Sequence, residues 1–298
     1  MQSNLERLSG FNNRYYRSST GAEASNWILS TVQAVRVCSY FVAALLTADR
    51  CRRERAHQRE RFSHSSWPQT STIVHIAGKD NSGPVTILGA HMDSVNQRNP
   101  SIGRSPGADD DGSGSVNLIE AFRALVDSGF EPANPVEFHW YAAEEGGLLG
   151  SRAIASKYKS NGINVKGYMN LDMTAYFKPG DKEVVALMTD NTDAALNDYV
   201  EKLVTTYTRL TVARSKVSLR SFMSARSLIC LLSVVMGAPT TLLGIDTATR
   251  RSCLSKHLWE VITQLSTPTK IQLAPRILVG PFLEFAKLAV SFAYELSA

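Results

Sequence analysis

Three apolar runs of the sequence end in residues that can bind a metal ion. The run PVTILGA is followed by His91, VEFHWYAA by Glu144 and Glu145, and VKGYMNL by Asp172. Each run has the length and composition of a buried strand, and ligands of open α/β sheets bind at the carboxyl ends of strands. The pattern therefore predicts that these side chains meet at one edge of a sheet.

A fourth source of carboxylates is the acidic loop PGADDDGSG, residues 106–114, which precedes a helical segment. Its glycines allow the backbone to fold tightly around whatever the acids hold. An imidazole with several carboxylates suits Zn²⁺, and such a set can hold two ions with one acid between them. Each member alone is more typical of a surface residue or a helix cap. Their ordered occurrence at strand ends favours a metal site.

Two spacings suit supporting roles next to such a site. Asp93 lies two residues after His91, so in an extended chain both side chains share a face, and Asp93 can accept the second imidazole N–H. In AAEEGG, the adjacent Glu144 and Glu145 point to opposite sides unless the backbone turns. One of the two carboxylates can then bind metal while the other faces the attacking water as a general base.

The elements that must position these residues alternate between residues 71 and 208. Runs typical of buried strands are TIVHIAG, PVTILGAH, PVEFHWYAAE, VKGYMNLDM and EVVALMTD. Segments typical of helices are SVNLIEAFRALVDSG (115–129), SRAIASKYKSNG and AALNDYVEKLVTTY. This alternation predicts an α/β fold with a central mixed, mostly parallel sheet, covered by helices on both faces.

Two more helices are predicted near the ends of the chain. One lies within residues 11–32 and is entered at the turn of Ser18 and Thr20, and the other is PFLEFAKLAVSFAYELSA at the end. We predict one domain over residues 1–298, with atypical segments at 33–61 and 212–280. The second of these mixes helix-like and strand-like stretches with Arg/Ser clusters, and we expect it to be disrupted.

Composition and charge exclude several classes of protein. The chain of 298 residues is 44% hydrophobic and 20% charged, as expected for a globular protein. The net charge of +5 is concentrated in CRRERAHQRERF, residues 51–62. Such a run is more typical of a solvated segment than of a phosphate-binding patch, and no aromatic residues interleave it, so we predict no nucleic-acid binding. The apolar stretch 228–238 is too short to span a membrane.

The sequence resembles the bacterial and fungal secreted zinc aminopeptidases of the leucine aminopeptidase type. The motifs that carry the likeness are GAHMDS, PGADDDGSG, YAAEEGGLLGS and NLDMTAY, with FNNRYYRSSTGAEASNW upstream and LEFAKLAVSFAYEL downstream. The likeness covers roughly residues 11–32, 62–210 and 282–298. It implies a zinc-exopeptidase fold and a monomeric metallo-aminopeptidase that releases leucine-like residues from peptides with a free N-terminus.

The resemblance also implies roles for individual residues. The implied metal ligands are, in chain order, His91, Asp110, Glu145 and Asp172. Of the two zinc ions per subunit, His91 and Asp172 would bind the first, Glu145 the second, and Asp110 both. Glu144 would be the general base, and Asp93 the second catalytic residue. A secreted protein is expected, although MQSNLERLSGF lacks the apolar core of a secretory signal.

The chain departs from the family pattern near its C-terminus. The family has a further histidine ligand in an N-P-x-I-H-T context, preceded by C-G-Y-x-C-S-D-H, and neither is present. The late histidine His257 has another context, more typical of a helical surface residue. Codons that encode residues 260–273 can, in a shifted frame, encode the missing motif. We therefore hypothesise that residues from about 212 to 280 are out of frame.

The missing histidine leaves three functions open. One zinc ion would lose its only nitrogen donor, so we predict an impaired aminopeptidase unless His257 substitutes. The alternative is an inactive remnant of the family, either a pseudogene product or a peptide-binding pseudoenzyme. A two-zinc carboxypeptidase or deacylase would use the same cage, but the segments TGAEASNW and NLDMTAY favour the aminopeptidases.

Overall fold

The computed structural model describes residues 1–35, 57–177, 180–216, 231–235 and 279–298. The helices are α1 (Gln2–Gly10), α2 (Ser19–Ala34), α3 (Gly112–Asp127), α4 (Leu149–Ser160), α5 (Ala194–Tyr207) and α6 (Val279–Leu296). The strands are β1 (His57–Phe62), β2 (Ser71–Ile76), β3 (Val85–His91), β4 (Val136–Tyr141), β5 (Val165–Asp172), β6 (Val184–Met188), β7 (Thr211–Ser215) and β8 (Leu231–Val235).

The described strands form one eight-stranded sheet with the order β1-β2-β4-β3-β5-β8-β6-β7. The three strands β4, β3 and β5 at its centre run parallel, as do β8, β6 and β7. Antiparallel pairs join β1 to β2, β2 to β4 and β5 to β8. The prediction of a mixed, mostly parallel sheet is confirmed, and each strand and helix predicted between residues 71 and 208 is present.

Helices cover both faces of the sheet, and the side chains of β4 show which helix lies where. Phe138 and Trp140 point into the main hydrophobic core, together with α1, α2, α3, α5 and α6. The alternating residue Tyr141 points to the opposite face, where it packs with Ile73 and with Ile154 of α4. The prediction of a sheet covered on both faces is therefore confirmed. None of the described helices is long and apolar enough to cross a membrane.

The two helices predicted near the chain ends are also present. The hydroxyl of Ser18 accepts a hydrogen bond from the backbone N–H of Gly21 (2.9 Å), so α2 begins at the predicted turn. The last helix, α6, buries Phe285 and Phe292 against the sheet and α3. It approaches β5 so closely that a Cβ on Gly167 would lie 2.7 Å from the side chain of Leu296.

Elements also occur in the segments that the sequence pattern left irregular. At the edge of the sheet, β1 lies in the arginine-rich run, where Arg59 donates to the backbone oxygens of Val32 (3.1 Å) and Val35 (2.9 Å). Charged residues are common on edge strands because they discourage pairing with other chains. Such a strand has no apolar alternation, which explains why the sequence pattern did not predict it.

The segment 212–280 contributes two strands to the sheet. Most of β7 lies at its start, and β8 lies within the apolar stretch 228–238, between β5 and β6. Residues 217–230 and 236–278 lie outside the described part of the chain, as do His257 and the four cysteines. The frame hypothesis for this segment therefore stays a prediction.

A buried polar network lies on the sheet face that α4 covers. Glu137 accepts hydrogen bonds from His75 Nδ1 (3.1 Å), from His139 Nε2 (2.8 Å) and from the hydroxyl of Tyr158 (2.6 Å). Tyr141 Oη also lies 3.1 Å from His139 Nδ1, so the imidazole is held between Glu137 and Tyr141. Burial raises the pKa of Glu137, but the hydrogen bonds from His139, His75 and Tyr158 lower it well below its usual value.

We expect Glu137→Gln to destabilise the protein by about 1.5–3 kcal/mol at neutral pH, the usual contribution of hydrogen bonds to a charged group. Because the folded-state pKa is depressed, this stabilisation is present above the unfolded value of 4.5 and is lost as the pH falls below it. Urea unfolding of both proteins from pH 7 to pH 3.5 should show the difference narrowing. Glu23→Gln, at an exposed position of α2, is the control. A difference that does not change with pH would contradict the prediction.

Candidate metal centre

The carboxyl ends of the central strands bring the predicted site residues to one edge of the sheet. His91, the last residue of β3, is 2% exposed and pairs in register with Tyr141, the last residue of β4. Asp172 is the last residue of β5. The chain turns just beyond these strands through Ala143 (φ 56°) and Met173 (φ 53°). The strand ends therefore deliver their polar side chains to a single buried corner.

His91, Asp110 and Asp172 converge in this corner. The Nε2 atom of His91 lies 3.0 Å from Asp110 Oδ1 and 3.7 Å from Asp172 Oδ1. One ligand atom from each residue lies within 4.8 Å of the other two. In addition, the buried Oδ1 of Asp172 has no hydrogen-bond partner among the described residues. A nitrogen and carboxylate oxygens this close, one of them without a donor, fit a divalent ion such as zinc.

The first acid of the DDD triplet holds the chain beyond β5. Asp109 Oδ1 accepts hydrogen bonds from the backbone N–H groups of Ala175 (2.8 Å) and Tyr176 (3.0 Å). It also accepts a bond from the hydroxyl of Ser113 (3.2 Å). Burial raises the pKa of Asp109 to about 6. Asp109 therefore connects the acidic loop to the segment after Asp172.

The third acid of the triplet connects three elements. Asp111 caps α3 through a hydrogen bond from the N–H of Gly114 (2.8 Å) and also accepts from the N–H groups of His91 (3.2 Å) and Met173 (3.3 Å). The helix thus begins at Gly112, three residues before the predicted start at Ser115. Because the flanking acids are bound to backbone groups, the middle acid, Asp110, is the member directed at the imidazole.

Asp93 holds the turn that contains the two glutamates. Its Oδ1 accepts from the backbone N–H of Glu144 (2.9 Å) and its Oδ2 from that of Glu145 (3.0 Å). The same Oδ1 lies 3.4 Å from His91 Nδ1, which is an ion-pair distance rather than the hydrogen bond that the sequence spacing predicts. Asp93 is completely buried, so it joins the imidazole to the glutamate turn without facing solvent.

Glu144 and Glu145 follow the end of β4 by three and four residues, in a turn rather than in the strand. Ala142 and Ala143 leave the sheet because their N–H groups donate to the side chains of Ser71 (3.0 Å) and Gln69 (3.3 Å). Among the described residues, neither glutamate belongs to the set of atoms that all lie within 4.8 Å of one another. The structure therefore brings three of the four predicted ligands together and places Glu145 beside them.

The electrostatics of the corner favour a bound cation. Burial lowers the pKa of His91, but the carboxylates of Asp172, Asp110 and Asp93 raise it well above its usual value. Burial, reinforced by neighbouring carboxylates, raises the pKa of Glu144 to about 7 and that of Glu145 to about 8. These raised pKa values mean that the corner contains too little positive charge to balance its carboxylates. A divalent cation supplies that charge.

Sequence reasoning missed one residue of this region, the buried Arg14. Its side chain donates to the backbone oxygens of Met92 and Gly107, in the two loops that carry His91 and Asp110. An arginine between two helical segments is usually solvent-exposed, so residue type offers no signal. The signal available was its place within FNNRYYRSSTGAEASNW, a motif that resembles the zinc aminopeptidases.

Comparison with known proteins adds to this geometry. Residues 71–224, just over half of the chain, match Peptidase family M28. The chain belongs to peptidase family M28. The match includes every element that carries a predicted site residue, from β3 to β5. The predicted likeness to this kind of peptidase is confirmed.

Fungal proteins are among the relatives of this M28 chain. It is 43% identical over 224 residues to leucine aminopeptidase 1 of Aspergillus clavatus, covering 72% of this chain and 54% of that protein. It is 41% identical over 216 residues to a probable leucine aminopeptidase of Trichophyton verrucosum, with coverages of 71% and 53%. The chain thus spans about half the length of the curated relatives it matches.

Solved structures show the same fold. The LapA aminopeptidase of Legionella pneumophila is 26% identical, with a TM-score of 0.71 over 99% of this M28 chain and 70% of that protein. A leucine aminopeptidase precursor of Bacteroides thetaiotaomicron shares the fold at 14% identity, with a TM-score of 0.58 over 98% of this chain and 95% of that one.

We expect Asp93→Asn to loosen the glutamate turn of this M28 chain. An amide has one oxygen where the carboxylate has two, so the N–H of Glu144 or Glu145 would face an N–H₂ group. The loss should be about 1.5–3 kcal/mol in urea unfolding, the usual contribution of a hydrogen bond to a charged group. Amide exchange at residues 144 and 145 should accelerate.

Asp127→Asn is the matched control, because Asp127 is 38% exposed and pairs with Arg123 at the surface of α3. Surface pairs contribute at most about 1 kcal/mol. If the Asp93 variant were no less stable than this control, the role of Asp93 in holding the glutamate turn would be wrong.

Proposed function

We propose that this chain is a zinc-dependent aminopeptidase that removes N-terminal residues from peptides. The observation that carries the proposal is the convergence of His91, Asp110 and Asp172 at the carboxyl edge of the sheet, in a chain of family M28. The names of the fungal relatives, which are leucine aminopeptidases, support exopeptidase activity at the N-terminus and an apolar side chain there.

The residues divide into two sets of ligands under this proposal. His91, Asp110 and Asp172 would hold the first zinc ion, and Asp110 with Glu145 would hold the second. When bound, zinc supplies Lewis acidity toward a peptide carbonyl and lowers the pKa of water. The chain's own part is to keep the donors in place: Asp93 contacts the imidazole of His91, Asp111 holds the backbone N–H of His91, and Asp109 holds the segment after Asp172.

Glu144 is the general base of the proposed reaction. Its backbone N–H is held by Asp93, which also contacts His91, and the charge of His91 acts on the pKa of the Glu144 carboxyl group, so this group lies within electrostatic reach of the imidazole. In that position it takes a proton from the attacking water at a carboxylate oxygen and later returns it to the leaving amine. Peptides with a free N-terminus are the proposed substrates, and nucleic acids and membranes are not.

The second ion site limits the activity. Among the described residues, His91 is the histidine that reaches the cluster, so Asp110 and Glu145 have no nitrogen partner there. Two carboxylates bind zinc more weakly than a set that includes an imidazole. We propose that the chain binds one zinc ion tightly and a second weakly, and that it is a slow aminopeptidase.

An inactive remnant of the family is the second candidate function, and the same shortage of nitrogen donors favours it. In that case the cluster would bind zinc without turnover. The resemblance to secreted, monomeric aminopeptidases extends the main proposal to secretion and to a monomer. Zinc binding is common to both candidates, and only turnover separates them.

The proposal predicts opposite defects for two substitutions. Glu144→Gln should keep the zinc content and lower kcat about 10²- to 10⁴-fold, the usual contribution of a general base. His91→Ala should lower zinc affinity by more than about 100-fold, because even loss of an outer partner of a ligand costs 10- to 100-fold. Hydrolysis of leucine p-nitroanilide and metal analysis after dialysis measure the two effects.

The parent chain is the reference in both assays, with Asp127→Asn as a folded surface control. Parent protein that binds zinc without any turnover would establish the inactive remnant. Parent protein that binds no zinc, or a Glu144→Gln variant as active as the parent, would contradict the proposed mechanism.

A further inference from the structure

Arg14 lies in the loop between α1 and α2, and its side chain is completely buried. All three nitrogens of the guanidinium donate to backbone oxygens. Nε donates to Met92 (2.6 Å), Nη1 to Pro106 (2.5 Å) and more distantly to Leu8 (3.3 Å), and Nη2 to Gly107 (2.8 Å). Burying a charged group costs free energy of desolvation, so a completely buried arginine requires an explanation.

The closer acceptors lie next to two of the candidate metal ligands, one just after the end of β3 and the others in the acidic loop. Met92 stands between His91 and Asp93, and Pro106 and Gly107 open the acidic loop that contains Asp110. The planar guanidinium is a rigid fork, so bonds to both loops fix the distance between them.

The backbone around Arg14 continues the same connection. The N–H of Arg14 donates to the hydroxyl of Ser94 (3.1 Å), and that hydroxyl donates to the backbone oxygen of Ser105 (2.8 Å). The carbonyl of Arg14 accepts from the side chain of Gln69 (3.0 Å), whose oxygen accepts from the N–H of Ala143 (3.3 Å). The Arg14 segment therefore reaches the third acid-bearing loop, the glutamate turn.

The acidic loop is shaped to approach the guanidinium. Gly107 has a positive φ of 50°, and a Cβ at this position would lie 2.5 Å from the backbone oxygen of Asp110, 2.6 Å from Cβ of Ser94 and 2.7 Å from Nη2 of Arg14. Only glycine satisfies both the backbone conformation and the contact. The loop and the arginine are therefore fitted to each other.

The choice of acceptors matters for metal binding. Burial lowers the pKa of Arg14 to about 10, while the charges of Asp111, Asp93, Asp110 and Glu145 favour its protonated form, so the side chain is a cation at neutral pH. Its hydrogen bonds go to carbonyl groups, which leaves the carboxylate oxygens available to an ion. The arginine thus places a positive charge near these carboxylates without forming hydrogen bonds to their oxygens.

We propose that Arg14 is a positioning residue that fastens the loop of His91 to the loop of Asp110, so that the metal ligands face each other before an ion binds. The metal-binding part of this inference rests on the proposed zinc site. The fastening of the two loops does not, because it follows from the hydrogen bonds of the protein itself.

The test compares Arg14→Met and Arg14→Lys with Arg59→Met in the full chain. Arg59 is a matched control because it also donates to two backbone oxygens, those of Val32 and Val35, but at the edge of the sheet. Amide exchange in chelator-treated protein is followed at Met92 and Gly112, with Val185 to Leu187 of β6 as the internal reference. Zinc affinity is measured by competition with a chromophoric chelator.

We expect Arg14→Met to accelerate exchange at Met92 and Gly112 at least tenfold relative to β6 and to weaken zinc binding about 10- to 100-fold, as for loss of outer partners of metal ligands. Lysine keeps the charge but cannot bond both loops at once. Arg14→Lys should therefore show accelerated exchange with a smaller loss of zinc affinity. Arg59→Met should change neither quantity. If Arg14→Met does not fold, Arg14→Lys carries both measurements.

Exchange that accelerates equally in the loops and in β6, or zinc affinity unchanged in a variant with accelerated loops, would overturn the positioning role. So would an Arg14→Lys variant that matches the parent in both measurements. If the parent binds no zinc, the proposed function fails, and the exchange data alone still decide whether Arg14 fastens the loops.

Discussion

Mutual repulsion among carboxyl groups is the constraint on which the described site depends. Among the described residues, several acids share one buried corner with the imidazole of His91, and burial alone would make them take up protons. In the structure, some of these acids accept hydrogen bonds from backbone N–H groups. Asp93, Asp109 and Asp111 accept such hydrogen bonds. Asp110 and Asp172 are left directed at the imidazole, so the corner has the donor set of a metal site rather than that of a random acidic patch.

This division of roles among the acids follows from where the strands of the sheet end. Parallel strands end at the same edge, so the last residues of β3 and β5 lie close together, and the turn after β4 lies beside them. Each acid used as an acceptor fastens a neighbouring loop: Asp93 the glutamate turn, Asp109 the chain after β5, and Asp111 the start of α3. Arg14 adds a positive charge and a rigid set of donors from outside the sheet. The site is therefore a set of loops tied to one another rather than residues on independent loops.

The sequence was sufficient to predict the strands from β2 to β6, the helices α3, α4 and α5, and the convergence of His91, Asp110 and Asp172. The elements and the places of His91 and Asp172 follow from apolar periodicity and from the rule for strand ends, whereas the choice of Asp110 within its triplet follows from the family resemblance. The start of α3 and the buried role of Arg14 depend on hydrogen bonds between residues far apart in the chain, which periodicity does not encode. The edge strand β1 is rich in charged residues, and β8 lies in the apolar stretch 228–238 within a segment that otherwise lacks a regular pattern, so neither strand was predicted. The position of Glu145 outside the close set of ligand atoms likewise depends on how the turn after β4 folds.

The most direct test of the account is a crystal structure of the zinc-soaked protein with anomalous data at the zinc absorption edge. We expect an anomalous peak about 2.0–2.2 Å from His91 Nε2 and from carboxylate oxygens of Asp110 and Asp172, the usual distances for zinc. A well-ordered protein with no peak in that corner, or with its zinc bound at other side chains, would contradict the central claim.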